Sequence, residues 1–164
     1  MVDLQKHLIV GLIVTVGLCL PLQARTFTGQ VVRVTDGDTL WVQTRAHEQP
    51  RKVRLQGLDA PEICQSWGPE ARSALAGLVL HQSVQLDSRA RDDYGRMLAR
   101  VQVGGMDAGR WMVAQGHAWS YGYRHRAGPY ANEQEAARAS RLGLWAQAAV
   151  EPRQFRRQHG SCRQ

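Results

Sequence analysis

Lysine is almost missing from this chain. Of its 21 Lys and Arg residues only Lys6 and Lys52 are lysine, and Asp and Glu together number 14, so a net charge of +7 rests on guanidinium groups. Arginine forks hold phosphate bidentately, which a lysine point charge does not do. A pI near 10.0 therefore points to a polyanionic partner, of which nucleic acid is the commonest; the plainer reading is a basic but inert surface. Cysteine is scarce as well. Three residues, no CxxC pair and scattered histidines argue against a zinc site. The longest apolar run, Leu8 to Leu20, is too short to span a bilayer comfortably. No repeat and no linker divides the chain, so its 164 residues read as one domain. A hydrophobic fraction of 43% leaves no reason to expect disorder.

The start of the chain reads as an address. Lys6 and His7 precede the apolar run, and Gln23-Ala24 follows it. A charged start, a short apolar core and a small residue at the cut predict a signal peptide over residues 1–24. Cleavage after Ala24 and export to the periplasm or the medium are expected, with an uncleaved membrane anchor as the alternative. Cys19 lacks the small preceding residue of a lipid-attachment site, because Leu18 stands there. It leaves with the signal. Cys64 and Cys162 remain, and two cysteines in an oxidising compartment predict one disulfide.

The informative stretch runs from Val31 to Glu62. Two β-branched runs flank Thr35-Asp36-Gly37-Asp38, and Asp-Gly between such runs is a hairpin signal. The expected strands are Thr26 to Val34, with Val32 and Val34 on one face, then Thr39 to Gln43 and Lys52 to Leu55. Asp59-Ala60-Pro61-Glu62 follows as a strand-end loop. A helix opens at Gly68-Pro69-Glu70, with Ala71, Ala74, Leu75, Leu78 and Val79 as its apolar stripe. Ser83 to Asp87 and Arg96 to Val103 give two more strands across a charged turn at Arg89 to Gly95. Asp107 caps a second helix ending at Gly116. Residues 117–128 form an aromatic, basic loop, and Tyr130 to Leu142 a third helix. The tail from Glu151 shows no helix or strand period. This is a mainly β, α+β pattern of five strands and three helices, which fits an oligonucleotide/oligosaccharide-binding (OB) barrel.

Hard divalent cations take carboxylate and carbonyl oxygens from several segments. Asp36, Asp38, Asp59 and Glu62 beside Arg54 meet that need and leave one acid to activate water. Each motif alone has a bland reading: an Asp-Gly turn that binds nothing, an exposed loop, a surface arginine, a solvated hairpin at Asp92-Asp93-Tyr94-Gly95-Arg96. The spacing is not that of an EF-hand, because Trp41 stands where its glycine would be.

Together and in order, VTDGDTLWV, VRLQGLDAPE, DDYGRMLA and RLGLW resemble the staphylococcal nuclease-like (thermonuclease) family over about Thr26 to Trp145. The resemblance implies a five-stranded OB barrel with three α-helices over residues 25–148, followed by a basic tail over residues 149–164. It implies a Ca²⁺-dependent hydrolase that cleaves phosphodiester bonds of DNA and RNA with little sequence preference and leaves 3′-phosphates. Asp38, Asp59 and the backbone carbonyl of Ala60 match the metal ligands, with Asp36 in support. Glu62 matches the general base, and Arg54 and Arg96 the phosphate-holding guanidinium groups. Tyr94 matches a residue contacting the neighbouring phosphate. Tyr121 and Tyr123 are candidates for stacking on bases, with an aromatic core role equally open. Asp93 departs from the pattern, standing where the best-known member has Lys. An exported monomer with no stable membrane association is expected. The alternatives are an OB barrel that binds nucleic acid without cleaving it, and a calcium-stabilised envelope protein.

Overall fold

The computed structural model describes residues 25–122 and 126–162, so the expected signal segment and Tyr123 lie outside the described residues. Strand β1 (Arg25–Asp36) is the longest strand among the described residues and organises the sheet. Its second half pairs antiparallel with β2 (Thr39–Gln43), which pairs in turn with β3 (Arg51–Leu55). A short β4 (Leu58–Asp59) follows. The first half of β1 pairs with β5 (Ser83–Arg91), and β5 pairs with β6 (Met97–Val103). A parallel pairing of β3 with β6 closes five strands into a barrel in the order β3-β2-β1-β5-β6. Closure leaves no open edge on these strands, as an OB barrel requires. The two-residue β7 (Met106–Asp107) extends the sheet beyond β6, and β8 (Trp119–Ser120) pairs with β4.

The period-two pattern is right in four strands and slips in one. Val32 and Val34 are expected on one face, but the register slips between Val31 and Arg33, so Val31 and Val34 are buried and Val32 is exposed. A bulge inserts one residue and reverses the alternation beyond it. Leu40, Val42, Val53, Leu55, Val84, Leu86, Ala99 and Val101 point inward as alternation predicts. β5 also runs further than expected, to Arg91, which shortens the charged turn to the residues around Asp92–Arg96.

Helix α1 (Gly68–Val79) starts with Pro69 in its first turn and buries Ala71, Leu75 and Val79 against the barrel. Helix α2 (Ala108–Ala114) is capped by Asp107, whose side chain accepts from the Arg110 amide at 3.0 Å. The loop expected over 117–128 contains β8. Helix α3 (Ala131–Ala139) precedes a 3-10 turn at Gly143–Ala146, which sets the Trp145 ring edge-on to Trp119 with centroids 5.1 Å apart.

The tail holds the main correction. It forms a fourth helix, α4 (Pro152–His159). Apolar periodicity missed α4 because Phe155 and the N-terminal Pro152 are its only apolar residues. Other contacts hold it. Cys162, just past its end, bonds to Cys64 with Cα atoms 5.9 Å apart. Before its start, Gln65 Nε2 donates to the Val150 carbonyl at 2.6 Å and Gln147 Nε2 donates to Ser66 Oγ at 3.3 Å. All three anchors lie on the loop just after Glu62.

The disulfide spans a sequence separation of 98 residues. Cross-linking a loop of that length stabilises by as much as about 4–5 kcal/mol in the chain-entropy view. Unreduced, denatured protein spanning residues 25–164 should therefore show no free thiol, and Cys162→Ser should lower the urea midpoint of the oxidised protein. Two titratable thiols in material from an oxidising compartment would refute the pairing.

Candidate active site

The turn between β1 and β2 presses against its neighbours. A Cβ on Gly37 would lie 2.7 and 2.8 Å from the Cβ atoms of Ala60 and Ala71, so only glycine lets the turn sit this close to the end of β4 and to α1. That approach seals Asp38, which is 3% exposed. Its Oδ1 accepts from Thr39 Oγ1 at 2.9 Å and Arg54 Nη1 at 2.8 Å, and its Oδ2 accepts from the Ala60 amide at 3.1 Å. Asp36 Oδ1 accepts from the Asp38 amide at 3.1 Å, which fixes the turn.

Arg54 lies on β3 between Val53 and Leu55, two inward residues, so alternation turns it outward. Its Nη2 reaches Asp59 Oδ1 at 2.7 Å while its Nη1 holds Asp38. Asp59 is buried and lies on β4, anchored by the pairing with Trp119. Glu62 follows Pro61, and its amide donates to Gln65 Oε1 at 3.2 Å. Gly68 lets the start of α1 close on this loop, because a Cβ there would collide with the Glu62 carbonyl oxygen.

Arg156 of α4 completes the cluster. Its Nη2 lies 2.8 Å from Asp59 Oδ2, and its Nη1 lies 3.0 Å from Glu62 Oε1 and 3.2 Å from Asp59 Oδ1. Sequence reading missed this residue. A usable signal was present in Pro152 at a helix start, basic residues in a last turn and Gly160 as the stop.

Burial pushes the Asp38 carboxyl above its ordinary pKa. Arg54 is the strongest opposing influence and does not cancel it, and nearby Asp36 adds to the rise. Burial alone would lower the Arg54 pKa, but Asp38 and Asp59 outweigh it and hold the guanidinium firmly charged. Arg156 is held charged in the same way by Asp59 and Glu62.

The tight turn after β5 presents a second guanidinium. Asp92 Oδ1 accepts from the amides of Tyr94 and Arg96 at 3.0 and 2.9 Å, and Asp92 Oδ2 meets Arg96 Nε at 2.6 Å. Partial burial would raise the Asp92 carboxyl, but the Arg96 side chain and these amides outweigh it and lower its pKa. Asp92 thus holds Arg96, a role the sequence did not reveal. The Arg96 guanidinium also lies 5.3 Å from the centroid of the exposed Tyr94 ring.

Asp36, Asp38, Arg54, Asp59, Ala60, Glu62, Tyr94, Arg96 and Tyr121 all border one open cleft of about 1450 Å³. Tyr121 is 45% exposed there, which does not match a core role. Among the described residues no group of three or more His, Cys, Asp or Glu side chains is arranged to hold a metal ion by itself. A cation here would draw instead on two buried carboxylates, Asp38 and Asp59, with the Ala60 carbonyl and water. These are hard oxygen ligands of the kind Ca²⁺ takes. Two buried carboxylates and a carbonyl are a donor set that fits such an ion, with Arg54 and Arg156 holding the Asp59 oxygens. Among the described residues no helix is long and apolar enough to cross a membrane.

Known proteins match this chain along most of its length. The family described as staphylococcal nuclease homologue matches residues 52–147. "Protein ParB" of Escherichia coli is 40% identical over 147 residues, covering 82% of each chain. "Micrococcal nuclease" of Shigella flexneri is 40% identical over 144 residues, covering 80% of this chain and 81% of its own. An "Uncharacterized endonuclease" of Haemophilus influenzae is 39% identical over 132 residues, covering 80% and 74%.

The Arg54 bridge makes a stability prediction. Arg54→Met strands the buried charge of Asp38 and should cost about 3–5 kcal/mol at neutral pH. The folded-state pKa of Asp38 lies above its unfolded value, so its charge costs stability at higher pH and the cost is relieved as pH falls through the folded pKa. Urea unfolding should therefore show a smaller deficit for Arg54→Met in mild acid than at neutrality.

Proposed function

The chain belongs to the staphylococcal nuclease family and is a nuclease that hydrolyses phosphodiester bonds, and we propose that it is an exported, monomeric, Ca²⁺-dependent enzyme that cuts DNA and RNA and leaves 3′-phosphates. The observation that carries this reading is the pairing of buried Asp38 and Asp59 through Arg54, with Glu62 and Arg96 bordering the same cleft.

Hydrolysis to a 3′-phosphate breaks the bond from phosphorus to the 5′-oxygen. Water must lose a proton as it attacks, and negative charge grows on the phosphoryl oxygens. Glu62 would take that proton, a role supported by its position at the cleft and not in the core. Arg54 and Arg96 donate to the phosphoryl oxygens. Both are pre-oriented, Arg54 by two aspartates and Arg96 by Asp92, so little reorganisation is needed as charge develops. Asp38, Asp59 and the Ala60 carbonyl would hold Ca²⁺, which would supply further positive charge to stabilise the developing negative charge. Guanidinium contacts to phosphate carry no sequence information, which accounts for weak sequence preference. Tyr94 and Tyr121 offer exposed rings for stacking on unpaired bases.

Two outcomes follow. Glu62→Gln should retain Ca²⁺ and oligonucleotide binding and lose turnover by roughly 10²–10⁴-fold. Single-stranded DNA and RNA with saturating Ca²⁺ or with a chelator provide the assay. Equal rates for Glu62→Gln and the unmodified chain would remove Glu62 from the mechanism, and cleavage that survives chelation would refute the metal requirement.

Asp93 is exposed and borders the cleft beside Tyr94, where it sets an anion against an incoming strand. Asp93→Lys should tighten binding to a short single-stranded oligonucleotide, most visibly at low ionic strength where screening is weakest. Unchanged affinity at low salt would place residue 93 off the path of the strand.

A further inference from the structure

Arg156 reaches the carboxylate cluster from outside the barrel. Both oxygens of Asp59 accept from guanidinium groups: Oδ2 from Arg156 at 2.8 Å, and Oδ1 from Arg54 at 2.7 Å and Arg156 at 3.2 Å. The same Arg156 Nη1 holds Glu62 Oε1 at 3.0 Å. One side chain thus grips a proposed cation ligand and the proposed base. The helix that carries it has little apolar surface of its own. It is fastened at both ends, by Cys162 to Cys64 and by the Val150 carbonyl to Gln65, on the loop that presents Glu62. The geometry of the tail therefore converges on one result, the delivery of Arg156 to Asp59 and Glu62.

We infer that Arg156 is a positioning residue of this site, clamped there by the Cys64–Cys162 disulfide, where it acts as an internal counter-cation that a divalent ion must displace from Asp59. Arginine stays charged at any relevant pH, so protonation cannot relieve the competition. A bidentate guanidinium–carboxylate pair is among the stronger side-chain contacts. A divalent ion at Asp59 must break it and also sit near its charge. Before a cation arrives, the same contact keeps clustered carboxylates from repelling one another apart. The inference rests on the divalent-cation reading of the site given above.

The test is direct Ca²⁺ titration of the mature chain, residues 25–164, by calorimetry, with no substrate present. Arg156→Gln should bind Ca²⁺ at least tenfold more tightly, since one positive charge a few ångströms from a divalent ion is worth that much even at the dielectric of water. Arg156→Lys keeps the charge and loses the fork, and should fall between. The double variant Cys64→Ser/Cys162→Ser should shift in the same direction as Arg156→Gln, because α4 loses its covalent hold. A merely structural Arg156 would give weaker Ca²⁺ binding in Arg156→Gln, and that result, or an unchanged affinity, overturns the inference while leaving the calcium reading intact. Unchanged affinity in the double variant overturns the clamp. Failure of both the unmodified chain and Arg156→Gln to bind Ca²⁺ refutes the calcium reading and this inference with it.

Discussion

Arg54 is the contact on which the rest of the site depends. It sits in the middle of β3, the strand that closes the barrel by pairing with β2 on one side and β6 on the other. From there its fork joins two loops distant in sequence, the Asp38 turn and the Asp59 strand end. Buried Asp38 without that cation would face a desolvation cost of several kcal/mol, while Asp59 would keep Arg156. Barrel closure and charge pairing are therefore one constraint: a register shift in β3 would turn Arg54 into the core and leave Asp38 stranded. Such buried ion pairs seldom raise net stability. Their presence here fits a site held ready for anionic substrate better than it fits a structural strut.

The sequence carried most of this because the site is built from turn chemistry. Asp-Gly between β-branched runs gives the Asp38 turn, Pro61 ends the strand after Asp59, and alternation sends Arg54 outward while Val53 and Leu55 go in. Each of these is local. The slip at Val32 is not local, since a bulge depends on how β1 must bend to serve both β2 and β5. Helix α4 was illegible to a search for apolar faces, because its fastening is a disulfide and charged hydrogen bonds across some 90 or more residues of chain. Asp92 is a different case. Its motif was visible, but that its carboxylate grips Arg96 and not water is a matter of turn geometry.

The tail also changes how the family resemblance is read. Resemblance ends near Trp145, and the matched region ends at residue 147. Arg156 therefore lies beyond the family-matched segment, yet it touches Asp59 and Glu62 within it. Site residues transferred by motif alone form an incomplete inventory when a later segment folds back. Three anchors on Cys64, Gln65 and Ser66 bring it back.

The charge balance of the cluster ties these points together. Three acids are held by two guanidinium groups: Arg54 joins Asp38 to Asp59 and Arg156 joins Asp59 to Glu62, while Arg96 is matched by Asp92. This carboxylate cluster sits inside a chain whose net charge is +7. Burial raises the Asp38 pKa, and Arg54 does not cancel the rise. A polyanion would be drawn to the basic surface and then meet repulsion at the point where it must react. A divalent cation would offset that repulsion. Under the proposed reading, cation and substrate then favour each other's binding, because each is opposed by charge that the other neutralises. Arg156 sets how far that coupling extends, because its loss leaves the carboxylate cluster one positive charge poorer.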